Sequence, residues 1–397
     1  YEIMSSDWSS DVCSSDLELE RRTGGLRGSL DGTGSRGDWE VRWRVGGEVA
    51  VQDDQRENFE NEEGETGVRT LDQSEEVRTA GFFAQGMLLG PGGWTLFSAL
   101  RYHRAAFQVR DAFKGSGDPD DSGSRTMDAA SPSLGVSVPV SEWLTLRGSI
   151  SSLFQTPTTT ELVNQPSGAG GFNPDVGPEG GWAVEGGLRL RVSSAGHLEA
   201  VAFQTRIRDE LVPFQVPQAP GRVYYRNAGR SRYRGVELTA TGALPRGFRG
   251  RATYTYLDAR FLDFAPEGED FAGNRIPGAP RHNLETVLSW TGGISGTSVT
   301  GFGELRGTYR GAVPVDDGNT EEARPFALLD LRVGVRRMAL GGVAFSPFLG
   351  IDNLLDRRYV TSVSVNAFGG RYFDPGPSRS FFLGVRAFLG STERSNP

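Results

Sequence analysis

Three observations predict an all-β chain folded as a transmembrane, antiparallel, up-and-down β-barrel. Apolar and polar residues alternate with period two along most of the chain, short turns alternate with long polar connections, and many alternating segments run past ten residues. Alternation puts successive side chains on opposite faces, so each segment has one apolar and one polar face. Segments of that length fit a strand crossing a bilayer at a tilt, whereas strands of a soluble sandwich or propeller average about 5–6 residues. Closure is required because an open sheet edge in lipid leaves backbone groups unpaired. Helical periodicity is almost absent, and no run of about 18 apolar residues offers a membrane helix.

The front of the chain does not belong to this pattern. It opens YEIMSSDWSSDVCSSDLELE, with no initiator methionine and with Cys13, the only cysteine. Tyr1–Leu17 has neither the basic front nor the apolar centre of a signal peptide, and it is rich in serine and acid. Back-translated, Asp7–Leu17 matches a common short-read sequencing adapter in one frame. Residues 1–17 are therefore expected to be a non-native, adapter-derived segment, with the barrel at 18–390 truncated at its front and a tail at 391–397. Without that segment no cysteine remains, which excludes a disulfide framework and a zinc–thiolate site. The segment holds four of the 50 acidic residues and no Lys or Arg, leaving a net charge of about −4, which argues against a nucleic-acid partner.

Strands are expected, in order, at 18–30, 38–51, 77–89, 94–113, 126–138, 143–155, 180–192, 197–213, 222–243, 248–264, 279–290, 297–313, 326–339, 343–361 and 370–390. In the segment 143–150, Leu144, Leu146 and Ile150 oppose Thr145, Arg147 and Ser149. In 326–337, Leu329, Leu331, Val333 and Val335 alternate with Asp330, Arg332, Gly334 and Arg336. Short turns at 31–38, 90–93, 139–142, 193–196, 244–247, 291–296 and 340–342 alternate with polar stretches at 52–76, 114–125, 156–179, 265–278, 314–325 and 362–369. All tight turns then fall at one end, as in outer-membrane barrels. Fifteen strands is an odd count, and bacterial single-chain barrels have even counts, so strands are expected to be missing from the front.

Little of the chain points to chemistry. Of the histidines His103, His197 and His282, the last sits at a strand start, where a structural role outweighs ligation. Scattered His without Cys makes a transition-metal site improbable. The acidic clusters at 52–65, 117–123, 265–270 and 314–319 are expected in outward loops, as solvated surface more than as cation ligands. Arg147, Arg332 and Arg336 face the inside, either to meet anionic groups or to line a hydrated wall as paired charges. Trp94, Trp143, Tyr359 and Tyr372 fit interfacial girdles. No nucleophile–base constellation and no nucleophile elbow supports an enzyme, and no catalytic, cofactor or metal residue is assigned.

Several segments resemble, in order, the barrel of the TonB-dependent outer-membrane receptors. Residues 153–179 resemble its stretch with F-x-x-P and N-P-D boxes, 227–238 its N-x-G…G-V-E-L strand, and 276–284 its P-R-H strand start. Residues 351–360 with 369–390 resemble its two closing strands. The resemblance implies a barrel of about 22 strands with an N-terminal plug, of which this chain would hold the last fifteen, without the plug and the segment that meets TonB. It implies TonB-dependent uptake of a scarce solute, most often a ferric siderophore, with outer-membrane lipid around the barrel. The haem-receptor subfamily carries a histidine that is absent between Phe154 and Asn173, which disfavours haem. A passive porin-like channel and a non-transport adhesin or structural barrel are the alternatives. The ligand-binding residues are unknown at this stage.

Overall fold

The computed structural model of the protein describes residues 15–389, apart from 63–64, 114–119, 164, 168–170, 218–221, 298, 337 and 341–342. Its strands are β1 (Ser15–Arg36), β2 (Trp39–Glu62), β3 (Glu65–Leu89), β4 (Thr95–Asp111), β5 (Gly123–Pro139), β6 (Leu144–Gln155), β7 (Glu179–Ser193), β8 (Gly196–Phe214), β9 (Tyr224–Leu244) and β10 (Phe248–Asp263). There follow β11 (His282–Gly293), β12 (Thr300–Arg310), β13 (Val313–Pro314), β14 (Glu322–Ala323), β15 (Phe326–Arg336), β16 (Met338–Leu340), β17 (Val343–Asp352), β18 (Val360–Val363), β19 (Phe373–Pro375) and β20 (Ser380–Leu389). One sheet runs β1 to β12, then β15, β17 and β20, every pair antiparallel. β15 and β16 lie successively along the same edge of β17, so the sheet makes fifteen crossings, as the alternation predicts. Its outermost strands, β1 and β20, do not pair with each other.

Cross-strand register identifies the two faces, because directly opposed residues share a side. Leu288, Leu305, Leu331, Ile351 and Phe381 form one row, and Ser289, Glu304, Arg332, Gly350 and Phe382 the neighbouring row on the other side. The first face carries large apolar side chains open to the surroundings, such as Leu26 at 80 % and Leu383 at 79 % exposure. Water would not tolerate a continuous apolar belt of this kind, whereas lipid requires it. The other face is the polar inside.

Strands outrun the bilayer at the long-loop end. The 25 residues of β3 rise roughly 65 Å at a tilt near 40°, about twice the hydrocarbon thickness. The stretch 52–76, expected as a loop, is instead a hairpin extension: β2 and β3 pair from Gln52 opposite Val77 out to Glu62 opposite Glu65. The acidic cluster there is therefore sheet rather than loop. Beyond the hydrocarbon no lipid demands an apolar face, and the inner face here buries polar and charged side chains such as Arg56 and Glu75, so no apolar alternation is present for sequence to reveal. For the same reason the turn expected at 31–38 tightens to residues 37–38, with β1 running on to Arg36. The expected strands 343–361 and 370–390 shorten to β17 and β20, the remainder forming loop and the small β18–β19 hairpin. At the front, Ser15–Leu17 continue β1 and pair with Glu60–Asn58, so residue 17 is no structural boundary. Residues 1–14 and the tail 391–397 lie outside the described residues.

Well-buried apolar side chains gather at the long-loop end. One cluster joins Ala105, Phe107, Met127, Leu162 and Val176; a second joins Val212, Ala228, Phe261 and Phe264; a third joins Val313, Val315 and Ala323. The short-turn end is built from tight reversals, as at Gly92 and Gly93, whose φ values of 77° and 80° suit only glycine well. Gly235 answers a different need. A Cβ there would strike the Tyr256 carbonyl and approach the Phe203 ring at 2.8 Å. Gly235→Val is expected to cost roughly 1–3 kcal/mol, read as a lowered urea midpoint of the folded barrel. An unchanged midpoint would mean that β9 and β10 have slack at this position.

Candidate functional site

The loop layer at the long-loop end is the part of the molecule organised to receive something. Its centre is a five-residue helix, α1 (Thr159–Val163), in the connection from β6 to β7. Thr158 and Glu161 form a reciprocal capping box: the Thr158 N–H donates to Glu161 Oε2 at 2.7 Å, and the Glu161 N–H to Thr158 Oγ1 at 3.3 Å. Leu162, fully buried, packs with Val176 on Ala105, Phe107 and Met127 of the inner face, beside Phe154 and Phe172. The N-P-D segment closes over this helix. The Asn173 N–H donates to the Leu162 carbonyl at 2.6 Å, and the Asp175 N–H to Asn173 Oδ1 at 3.0 Å. Arg125 Nη1 donates to the carbonyls of Asn173 and Val176 at 2.8 and 2.7 Å. Asn227 of β9 then receives the Gly177 N–H at 2.7 Å and donates back to the Gly177 carbonyl at 3.1 Å. Three segments singled out in the sequence thus meet as one folded unit.

Buried charge links this unit to the β2–β3 extension. Arg56 and Glu75, 2.5 Å apart, have side chains 3 % and 0 % exposed, and Gln73 donates to the same carboxylate at 2.8 Å. Arg56 also donates to Thr160 of α1 at 3.2 Å. Nearby, Arg21 holds Asp54 with two bonds of 2.8 and 2.7 Å. Removing one partner of such a pair strands the other charge, at a cost of about 3–5 kcal/mol. The pair therefore fixes where α1 sits. Sequence offered no signal for it, because both residues lie in stretches that read as solvated loop.

On the far side of the layer, three connections join through amides. Asn366 donates to Asp317 Oδ2 at 3.0 Å and to the Pro213 carbonyl at 2.8 Å, and accepts the Asp317 N–H at 3.0 Å. Asn274 donates to the Asp317 carbonyl at 2.9 Å. Burial raises the Asp317 pKa to about 6, with Asn366 and Arg226 opposing the shift. A carboxyl with a raised folded pKa adds stability below its unfolded value near 4, and that stability is lost as pH rises through about 6. Amide-exchange protection across 313–323, corrected for intrinsic rates, is expected to fall between pH 4.5 and 7. In Asp317→Asn it is expected to be flat. A pH dependence that survives this substitution would contradict the assignment.

The other residues flagged in the sequence fall as follows. Arg147 sits 3.5 Å from Glu199, which also holds Arg189 at 3.3 Å, so it belongs to a paired inner wall. Arg332 instead lies over Phe348 and Phe382, 5.4 and 5.5 Å from the ring centres, and Arg336 over Phe302 at 6.0 Å. With Glu304 and Arg386 they line an inner recess of about 890 Å³ toward the short-turn end. His282 bonds to the Tyr254 hydroxyl at 2.8 Å, and His197 to Thr241 at 3.0 Å. His103 is far from both along the sheet. Among the described residues, no three His, Cys, Asp or Glu side chains are grouped to hold a metal ion. Trp94 packs edge-on to Trp39 at 5.4 Å near the short-turn end. Tyr359 and Tyr372 lie in the loop layer, directly before β18 and β19 rather than at the ends of barrel-wall strands, Tyr359 against Phe326 and Tyr372 beside Val313 and Val315. Of the acidic clusters, 265–270 and 314–319 are loops of this layer; of 117–123, residues 117–119 lie outside the described residues and 120–122 lead into β5.

Comparison with known proteins agrees with this architecture. The profile of a family described as "TonB dependent receptor-like, beta-barrel" matches residues 5–354. The ferrioxamine B receptor of Salmonella typhimurium is 33 % identical over 141 residues, 35 % of this chain and 19 % of that receptor. The ferric-pyoverdine M114 receptor PbuA of Pseudomonas sp. is 24 % identical over 305 residues, 76 % of this chain and 34 % of that receptor. Among solved structures, the ferric citrate transporter FecA superposes with a TM-score of 0.75 at 16 % identity, covering 94 % of this chain and 55 % of FecA. The copper transporter OprC gives 0.72 at 17 % identity, with 94 % and 57 % covered. The chain spans about half the length of these structures and a fifth to a third of the curated relatives.

Proposed function

The chain belongs to the TonB-dependent receptor β-barrel family, and from that membership we propose that its intact protein is an active-uptake receptor for a ferric siderophore. The barrel lies in the outer membrane of a Gram-negative bacterium and belongs with transporters and receptors, not enzymes. The observation that carries the siderophore reading is that sequence relatives named for ferrioxamine B, ferric pyoverdine and ferrichrome all align to it. In this reading the ordered loop layer forms the outward half of the ligand site. The inner recess of Arg332, Arg336 and Arg386 faces carboxylates of a plug domain, on which TonB pulls.

The test uses the intact gene in a strain lacking its own siderophore receptors. Uptake of radioactive iron supplied as ferrioxamine B, ferric pyoverdine or ferrichrome is expected for at least one of them, and only when TonB is present. Because a copper transporter shares the fold, copper uptake is measured alongside. Uptake independent of TonB would favour a passive channel. Copper uptake without any iron–siderophore uptake would replace the substrate class.

A further inference from the structure

The outer face of β8, β9 and β10 carries a concentration of arginine that solute uptake does not use. Arg206 and Arg208 of β8 stand opposite Arg232 and Arg230 of β9, and Arg232 and Arg234 stand opposite Arg260 and Asp258 of β10. These residues share the face of Val236 and Leu238, farther down β9, so they lie outside the barrel. Asp258 is only 4 % exposed because guanidiniums wrap it: Arg260 at 2.8 Å, Arg234 at 3.1 Å, Arg232 at 3.4 Å and Arg281 at 3.9 Å. Arg230 stands 3.5 Å from Asp263. Arg206 and Arg208 are exposed and meet no acid among the described residues. The Nε groups of Arg232 and Arg281 are buried without an acceptor. Donors therefore exceed acceptors throughout the patch.

The depth of the patch is set by the residues beneath it. Val236 and Tyr256 are register partners; Arg234–Asp258 is one pair farther out and Arg232–Arg260 two. Those steps are about 5 and 10 Å above the Tyr256 row. Tyr254 and Tyr256 pack on the His282 ring, and Trp182 lies directly opposite Arg206. Tyr and Trp on an outer barrel face mark the level where hydrocarbon gives way to headgroups, and the headgroup zone extends roughly 5–8 Å beyond it. Measured from Tyr256, the Arg234–Asp258 pair falls within that zone and Arg232–Arg260 at its outer edge. Arg206 is level with Trp182 in its register row and Arg208 one step, about 5 Å, farther out, so the patch spans the height of lipid phosphates.

We propose that the outer surface of β8–β10 is a binding site for an anionic, phosphate-bearing lipid headgroup of the outer leaflet. Guanidinium forks match phosphate oxygens two bonds at a time. Asp258 holds together arginines that would otherwise repel, and the side chains of Arg234 and Arg230 remain 55 % and 61 % exposed beside Arg206 and Arg208. The site does not depend on which solute the receptor carries.

The test measures binding of diphosphorylated lipid A to the full chain in detergent by native mass spectrometry. Arg206→Gln with Arg208→Gln removes two arginines that make no internal ion pair, so the fold is kept, which thermal unfolding confirms. Binding is expected to weaken by at least about tenfold. Arg78→Gln with Arg104→Gln, on the outer face of β3 and β4, is expected to leave it unchanged. Dephosphorylated lipid A is expected not to bind, and millimolar inorganic phosphate not to compete. Equal binding by both double variants would overturn the proposal. So would displacement by inorganic phosphate alone, which would mark an adventitious ion only.

Discussion

Leu331→Arg is expected to destabilise the barrel in a bilayer by roughly 2–4 kcal/mol, while Arg332→Leu, its neighbour in sequence, costs no more than about 1 kcal/mol. Leu331 stands in the row Leu288–Leu305–Leu331–Ile351–Phe381, all apolar and all on the outside. Tyr309 lies two pairs farther out along β12 and Trp290 one pair farther in along β11, which puts Leu331 within the hydrocarbon band. An arginine there must carry its charge into lipid or bend the bilayer toward it. Arg332 points the other way, into water, over Phe348 and Phe382. Losing it forfeits exposed cation–π contacts worth about 0.5–1 kcal/mol, part of which leucine recovers by covering the rings. Refolding from urea into lipid vesicles, with equilibrium midpoints for both variants, reads the difference. Equal losses would reverse or erase the assignment of faces.

That pair of residues also shows what the sequence discloses and what it hides. Where lipid lies on one side and water on the other, the contrast between Leu331 and Arg332 is written directly into alternate positions. The fifteen crossings and most tight turns were legible for that reason. Beyond the bilayer the outer side is wet and the inner side buries charged and polar groups, and the contrast disappears. Gln52–Glu62 is continuous strand, with register shifts near Phe59, yet its charges sit on both faces. Arg56, on the inner face there, finds Glu75 across the hairpin and Thr160 a hundred residues away. No local pattern anticipates such partners. The candidate site was legible as motifs and illegible as an assembly. The N-P-D segment, Phe154 and Asn227 could each be singled out, but their meeting depends on long-range closure over Ala105 and Phe107.

Asn353 shows a motif residue whose task becomes clear only in the fold, and its replacement is expected to have a comparably large effect. It follows β17 directly, is 3 % exposed, and has φ of 50°, a conformation that asparagine tolerates and most residues resist. Its N–H donates to Asp330 Oδ1 of β15 at 2.9 Å. Its Oδ1 accepts the Arg357 N–H at 2.8 Å, and its Nδ2 donates to the carbonyls of Arg357 at 2.8 Å and Pro377 at 3.3 Å. One side chain thereby ties the turn to the approach into β20. Asn353→Ala removes all three side-chain bonds at a buried position and is expected to cost about 2–4 kcal/mol. Asn353→Gly loses the same bonds but relieves the backbone, and should cost less than alanine by about 1 kcal/mol. Asn353→Val combines the lost bonds with a β-branched side chain at positive φ, and should be the worst of the three. Urea midpoints in vesicles, in the order Gly, Ala, Val, would support both contributions separately. Alanine within about 0.5 kcal/mol of the parent would show that water replaces the amide and that the turn, not its asparagine, sets the path into the last strand.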